Sequence, residues 1–242
     1  MKRAVIIGAT SGIGLEVAKR LLNDGWKLGV SGRRQEELEK LQALAPEQIS
    51  IQTLDVTQEN AAENLQLLIE KTGGMDLFFL SSGIGKQNPD LLPEIEMTTV
   101  QTNAVGFTRM VNSAYHYFKA QGKGHLAVIS SIAGTKGIGA APSYSATKRF
   151  QSIYMEALEQ LARSKNLDIA FTDIRPGFVA TPLLNDTKHY PMLMKPEKVA
   201  KYIVGAIYRK KRVAIIDWRY AVLVAFWRLI PKWIWVRQRV GN

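Results

Sequence analysis

The chain has 242 residues, enough for one α/β domain with a substantial core, and its 22% charged and 46% hydrophobic residues exclude a disordered composition. It has no cysteine, which removes disulfides, thiolate nucleophiles and cysteine-based zinc sites together. The net charge of +11 is lopsided: nine Lys/Arg and one acidic residue, Asp217, lie from Arg209 to Asn242, so +8 belongs to that segment.

His116, His125 and His189 are too scattered to form a metal-ligand pair at helical spacing, and no metal is expected. The apolar run after Met1-Lys2-Arg3 is only Ala4–Ile7, too short for an export signal. No uncharged stretch reaches the roughly 20 residues that span a bilayer. The expected location is cytoplasmic.

Short β-rich runs alternate with longer helical patterns. Strands are expected at Ala4–Ile7, Lys27–Ser31, Ile49–Leu54, Asp76–Ser81, Gly124–Ile129, Asp168–Ile174 and Arg212–Ile216. Helices are expected at Gly12–Asn23, Gln35–Ala45, Gln58–Lys71, Thr98–Ala120, Pro142–Ser164 and Pro196–Arg209. Several strands are continuous apolar runs, as strands covered on both faces are. The alternation predicts right-handed βαβ units and an α/β, doubly wound parallel sheet of the Rossmann kind. One domain over 1–217, followed by a basic aromatic tail over 218–242, is the expected organisation. Ligands of such sheets bind beyond the carboxyl ends of the strands, where strand order reverses.

The first strand runs into Gly8-Ala9-Thr10-Ser11-Gly12-Ile13-Gly14. Glycines tighten this turn and let the backbone approach a pyrophosphate, and the helix that follows offers unpaired N–H groups. An ordinary Gly-rich turn would look the same, but the position after the first strand favours a dinucleotide. The second strand ends at Ser31-Gly32-Arg33-Arg34, with Gly32 where NAD-binding chains usually carry a carboxylate. Arg33 and Arg34 suit a 2′-phosphate, so NADP is the expected cofactor, against a solvated helix start. Asp55 is placed to meet an adenine amino group or to cap the segment after Val56. Ser82 and Gly83, in Ser81-Ser82-Gly83-Ile84, allow close approach to a cofactor ribose.

Tyr144 and Lys148 are four apart near the start of a predicted helix and so share one face. A nearby ammonium pulls a phenol down from its ordinary pKa of about 10, which suits it to proton transfer. Ser131, in the loop after the fifth strand, could hydrogen-bond a substrate oxygen. Tyr-x-x-x-Lys is weak alone, and the chain carries a second copy, Tyr115 and Lys119, within an amphipathic helix. That pair has no polar loop partner upstream and reads as structural.

Over nearly its whole length the chain resembles the short-chain dehydrogenase/reductase family. The resemblance rests on Gly8, Gly12 and Gly14; Asp55; Asn103 in Thr102-Asn103-Ala104; Ser131, Tyr144 and Lys148; Pro176-Gly177; and Thr181. It implies a Ser–Tyr–Lys triad, with Asn103 binding a water that links Lys148 to solvent. It also implies that Lys148 contacts the nicotinamide ribose and that Thr181 holds the carboxamide, with Pro176 and Gly177 at the cofactor. The sequence departs from the family after the fourth strand, where Ser81-Ser82-Gly83-Ile84 replaces Asn-Asn-Ala-Gly. The family's C-terminal strand and tetramer-forming tail are also replaced, so the tetramer does not carry over and a homo-oligomer of another kind stays open.

Four of the five tryptophans fall within 218–239, with Arg219, Arg228, Lys232, Arg237 and Arg239. At 100° per residue Arg228, Lys232 and Arg239 share one helical stripe. Tryptophan with basic residues suits an anionic lipid surface, though the same aromatics could pack over the substrate cleft or a second subunit. Nucleic acid is not expected, for want of a recognition fold. Residues Ala180–Leu193 should cover the substrate, and Leu183, Leu184, Pro191, Met192 and Leu193 point to an apolar carbonyl or alcohol, such as a 3-oxoacyl compound. The expected function is an NADP-dependent oxidoreductase. The alternatives are a catalytically silent NADP-binding scaffold and a membrane-recruited interaction protein.

Overall fold

A computed structural model of the chain describes residues 1–184 and 190–238. Seven strands form one parallel sheet: β1 (Arg3–Ile7), β2 (Lys27–Gly32), β3 (Ile49–Thr53), β4 (Leu77–Leu80), β5 (Lys123–Ile129), β6 (Asp168–Arg175) and β7 (Val213–Ile215). Their order is β3-β2-β1-β4-β5-β6-β7, so the direction of winding reverses between β1 and β4. Each expected strand is present, and no bound differs by more than one residue.

The register lines up the carboxyl ends. Ile7 lies beside Ser31 and Leu80, Leu80 beside Val128, and Ile129 beside Ile174. Gly8, Arg33, Ser81, Ser130 and Pro176 therefore start their loops along one edge of the sheet, at and around the reversal. The sequence motifs are brought together for this reason.

Helices cover both faces. On one side pack α1 (Gly12–Asn23), α2 (Gln35–Gln42) and α7 (Pro196–Tyr208), with Val17, Leu21, Leu38, Val199 and Ile203 in a core that includes Ala4 and Ile6 of β1. The other side carries α3 (Ala61–Thr72), α5 (Phe107–Gln121) and α6 (Pro142–Ser164), whose Leu65, Leu68, Met110, Phe118 and Met155 meet Val5 and Ile7. Alternate residues of β1 thus point to opposite cores, which is why its sequence is apolar throughout.

The single helix expected over Thr98–Ala120 is instead three pieces. A helix α4 (Pro93–Val100) opens on a proline, a six-residue π-helical segment Gln101–Gly106 follows, and α5 continues. Proline at the first helical position costs no hydrogen bond, so α4 starts earlier than the apolar pattern suggests. The wide turn contains Asn103, and π-turns of this kind often sit at functional sites. Gly106 lies against Val56, where an added Cβ would be 2.8 Å from Val56 Cγ2.

The tail forms α8 (Trp218–Leu229) and α9 (Lys232–Trp235). Asp217, with φ +75, caps α8 by accepting from the Arg219 nitrogen at 3.0 Å and pairs with its guanidinium at 2.8 Å. The single stripe of Arg228, Lys232 and Arg239 is corrected: Ile230-Pro231 breaks the helix between the first two, and Arg239 lies outside the described residues. Tyr220 and Val224 are buried on the domain, together with Trp235 of α9.

Candidate active site

The turn after β1 is built around what its glycines lack. Gly8 and Gly12 take φ of +89 and +57, a region that L side chains rarely adopt. A Cβ on Gly8 would fall 2.8 Å from the Ser82 nitrogen, and one on Gly14 would fall 2.0 Å from the Gly8 oxygen. Gly8 and Ala9 both donate to the Ser31 carbonyl at 2.9 Å, which fastens the turn to the end of β2. Ser11 is the extended residue before α1 and spends no side-chain bond on its own helix. The N–H groups of Gly12, Ile13 and Gly14 open α1 and have no intrahelical acceptor. With the helix dipole they make a cradle that fits a pyrophosphate. Thr181 closes over it, since a Cβ on Gly12 would lie 3.1 Å from Thr181 Cγ2.

At the end of β2 a Cβ on Gly32 would be 2.6 Å from Thr10 Cγ2, so Thr10 occupies the space that a carboxylate would need. Arg34 donates to the Thr10 carbonyl and hydroxyl, each at 3.0 Å, and Arg33 beside it is exposed. This corner therefore offers two guanidinium groups and has glycine, not an acid, at the end of β2. Asp55 accepts from the Thr57 nitrogen at 2.9 Å and the Thr57 hydroxyl at 2.8 Å through one carboxylate oxygen, Oδ1. It caps a local turn, while α3 begins only at Ala61.

After β5, Ser131 opens a 3₁₀ turn over Ile132–Thr135 and accepts from the Ala133 nitrogen at 3.1 Å. It lies near enough to the Tyr144 phenol to act on its proton affinity. Gly85 lies against the Tyr144 ring, where an added Cβ would be 2.7 Å from Cδ2. Lys148, one turn further along α6, donates to the Ile129 carbonyl at 3.0 Å and to Gln151 Oε1 at 3.1 Å, with its Nζ 5.7 Å from the Tyr144 ring centre. Gly83 is adjacent to both Asn103 and Lys148, since its Cβ would lie 3.3 Å from Asn103 Oδ1 and 3.4 Å from Lys148 Nζ. Asn103, Ser131, Tyr144 and Lys148 thus come together at the carboxyl edge, with Ser82 and Gly83 between them and the glycine turn.

Burial sets the proton affinities here. It pulls the Lys148 ammonium down from 10.5 to about 8, against the charge of nearby Asp173. The Tyr144 phenol moves up, driven by burial and opposed by the neighbouring Ser131 hydroxyl. The expectation that Lys148 would pull the phenol down is corrected for the chain by itself. Desolvation outweighs any attraction, and the Lys148 hydrogen bonds run to Ile129 and Gln151.

Two supporting residues carried no sequence motif. Gln151, buried in α6, donates to the Asn103 carbonyl at 2.8 Å and accepts from Lys148 with its other end. Glu96 of α4 accepts from the Ser143 nitrogen at 3.1 Å and from Asn88 Nδ2 at 2.8 Å, putting a carboxylate on the N-terminus of the helix that bears Tyr144. The Asn103 side chain is spent on the chain itself, accepting from the Ile84 nitrogen at 2.9 Å and donating to the Ile84 carbonyl at 2.7 Å. Pro176 accepts from the Ile132 nitrogen at 3.2 Å, and the open side of Gly177 is filled by the Tyr220 ring, 2.2 Å from where a Cβ would be. Tyr115, the decoy, is buried in the core and its hydroxyl has no hydrogen-bond partner among the described residues. Within the expected substrate segment Leu183 and Leu193 are exposed, and 185–189, with His189, lie outside the described residues.

A doubly wound sheet with this cradle defines an architecture of the dinucleotide-binding kind. The short chain dehydrogenase family model matches residues 2–191, and the chain belongs to that family of oxidoreductases, which use a nicotinamide cofactor. An oxidoreductase of Myxococcus xanthus is 31% identical over 95% of this chain and 93% of its own length. A glycine betaine reductase of Emericella nidulans is 31% identical over 88% of this chain, which corresponds to 18% of that longer protein. Among solved structures, a 3-ketoacyl-(acyl-carrier-protein) reductase from Brucella melitensis complexed with NADH superposes with a TM-score of 0.79 at 24% identity. That match covers 88% of this chain and 95% of the other, and it shows the shared fold.

Proposed function

We propose that the chain is an NADP-dependent reductase of an apolar ketone or a 3-oxoacyl-type substrate, acting through Ser131, Tyr144 and Lys148. The observation that carries this reading is the convergence of those three side chains beside Gly83 and Asn103, at the edge where the glycine turn opens. When bound, reduced nicotinamide supplies the hydride that adds to the carbonyl carbon. The carbonyl oxygen gains the electron pair and takes the Tyr144 proton, which is later restored from solvent. Ser131 holds that oxygen by hydrogen bonding, and Lys148 contributes positive charge beside the phenol. A phenol that burial keeps protonated is suited to donate in this direction.

The corner of Gly32, Thr10, Arg33 and Arg34 supports NADP over NAD, because it offers guanidinium groups to a 2′-phosphate and has no carboxylate at position 32 for a 2′-hydroxyl. Gly8, Thr10, Ser11, Gly12, Ile13, Gly14, Asp55, Ser82, Gly83, Pro176, Gly177 and Thr181 complete the proposed cofactor surface. Exposed Leu183 and Leu193 support an apolar substrate. The test is NADPH oxidation with ketones of graded chain length and a 3-oxoacyl thioester, with NADH in parallel. Turnover that rises with chain length and prefers NADPH is expected, and no turnover with any of them defeats the proposal.

A further inference from the structure

Helix α8 is apolar on two faces. One face is buried: Tyr220 is fully enclosed and Val224 nearly so. The other is uncovered, with Trp218, Val222, Phe226 and Leu229 exposed, and the row continues past Pro231 with Trp233 and Val236. Spacings of four, four and three residues keep Trp218, Val222, Phe226 and Leu229 on one side of α8. Leu229 is 77% exposed and Phe226 64%, whereas a helix with apolar residues all round is normally enclosed. A contiguous exposed apolar surface of this kind marks a docking site.

Charge identifies the partner. Exposed Arg228, Lys232 and Arg237 lie along the same segment, with Arg209 to Arg212 exposed just before it. Asp217, the only acid after Arg209, is already bound to Arg219. A two-fold contact between copies would bring these like charges together, with no free carboxylate in the segment to offset them. Tryptophan and basic side chains beside exposed aliphatic ones are the combination that enters the interface of an anionic bilayer. No described helix is long and apolar enough to cross a membrane. We propose that the face formed by Trp218, Val222, Phe226, Leu229, Trp233 and Val236 docks on an anionic lipid surface.

The position of this face relates the docking to the site. The Tyr220 hydroxyl, from the opposite side of α8, donates to the carbonyl of Pro191 or Met192 at 3.0 and 3.2 Å. Trp235 Nε1 donates to the Gly137 carbonyl at 2.7 Å, and Lys136 Nζ to the Ile230 carbonyl at 2.7 Å. The docking segment is therefore fixed to the stretch expected over the substrate and to the loop following Ser131. Docking would hold the mouth of the site beside the lipid.

The test uses the full chain and vesicles of phosphatidylcholine, with or without phosphatidylglycerol, in a sedimentation assay. Anionic vesicles should bind the protein and release much of it as salt rises, whereas neutral ones should bind poorly. Replacing Arg228 and Lys232 with Ala should lower partitioning at least about tenfold. Phe226→Glu with Leu229→Glu should abolish it, with thermal stability retained because both side chains face outward. Absence of binding, equal binding to neutral vesicles, or indifference to the double Glu variant would each overturn the proposal. So would a dimer in light scattering that the double Glu variant dissociates. Sedimentation needs no turnover, so failure here leaves the reductase reading standing.

Discussion

The side-chain amide of Gln151 donates to the backbone carbonyl of Asn103 at 2.8 Å while its oxygen accepts from Lys148 at 3.1 Å. The resemblance implies a water at Asn103 that links Lys148 to solvent, and Gln151 adds a side-chain link between the Asn103 backbone and Lys148. Gln151 is three residues beyond Lys148, on the same face of α6. An amide oxygen that accepts from the ammonium favours its charged form. Gln151→Leu should therefore lower the pH at which Lys148 loses its proton, and Gln151→Glu should raise it. Rate profiles of the two variants would check this, and coincident profiles would reduce Gln151 to packing.

Lys148 should set the alkaline limb of the reaction. Its ammonium is pulled down to about 8, so in the carbonyl-reducing direction kcat/KM should fall above that pH, by about tenfold per unit for one essential proton. Stability should move the opposite way. Between about 8 and 10.5 the unfolded chain holds a proton that the folded chain has released, so the cofactor-free protein gains stability there relative to Lys148→Met. A profile that stays flat to pH 10 would remove Lys148 from the reaction.

Tyr144→Phe keeps the ring against Gly85 and removes the proton donor. General acid–base catalysis contributes roughly 10²–10⁴ in rate, so turnover should drop by that much while NADPH still binds. Tyr115→Phe is the matched control. Its hydroxyl is buried without a partner, so removing it should leave turnover unchanged and stability equal or slightly higher. Near-normal turnover of the Tyr144 variant would end the proposed mechanism.

Much of this site can be read from sequence because its parts are punctuated. Gly12 and Pro142 open α1 and α6, and both helices run over the expected residues. The strands stand out as apolar runs, and parallel winding brings their carboxyl ends together. What stayed hidden depends on tertiary contact. Nothing local links Glu96 to Ser143, 47 positions away. The Gln151 spacing from Lys148 was a usable signal, but an amide gives no hint of its partners. Helix α8 escaped because periodicity reports one apolar face, and here both faces are apolar.

The corner at Gly32 predicts how cofactor choice responds to mutation. Arg33→Ala with Arg34→Ala should weaken NADPH binding by tenfold or more, since charge-assisted contacts are worth roughly 1.5–3 kcal/mol each. NADH should lose less, through the tether from Arg34 to Thr10. Gly32→Asp by itself should not give an NADH enzyme, because its Cβ meets Thr10 Cγ2 at 2.6 Å. Adding Thr10→Gly should relieve the clash and shift preference toward NADH. Tighter NADH than NADPH binding by the unaltered chain would refute the assignment.

Tyr220 should prove to be a structural keystone, although it lies in the tail. Its ring fills the side of Gly177 that a Cβ would occupy, and its hydroxyl accepts from the Phe178 nitrogen at 3.1 Å. The same hydroxyl donates its one proton to the Pro191 or the Met192 carbonyl. Tyr220→Phe keeps the ring and leaves the part-buried Phe178 nitrogen without its acceptor, at a cost of about 0.5–1.5 kcal/mol. Tyr220→Ala also opens a cavity and should cost about 3–5 kcal/mol, by analogy with other large aromatic truncations. For a chain of this size each kcal/mol lowers Tm by about 2–4 °C, so thermal unfolding separates the two variants. Truncation after Asp217 removes Tyr220, Val224 and Trp235 together and should destabilise the chain at least as much as Tyr220→Ala. A truncated chain that melts with the intact protein would show that α8 merely rests on the domain.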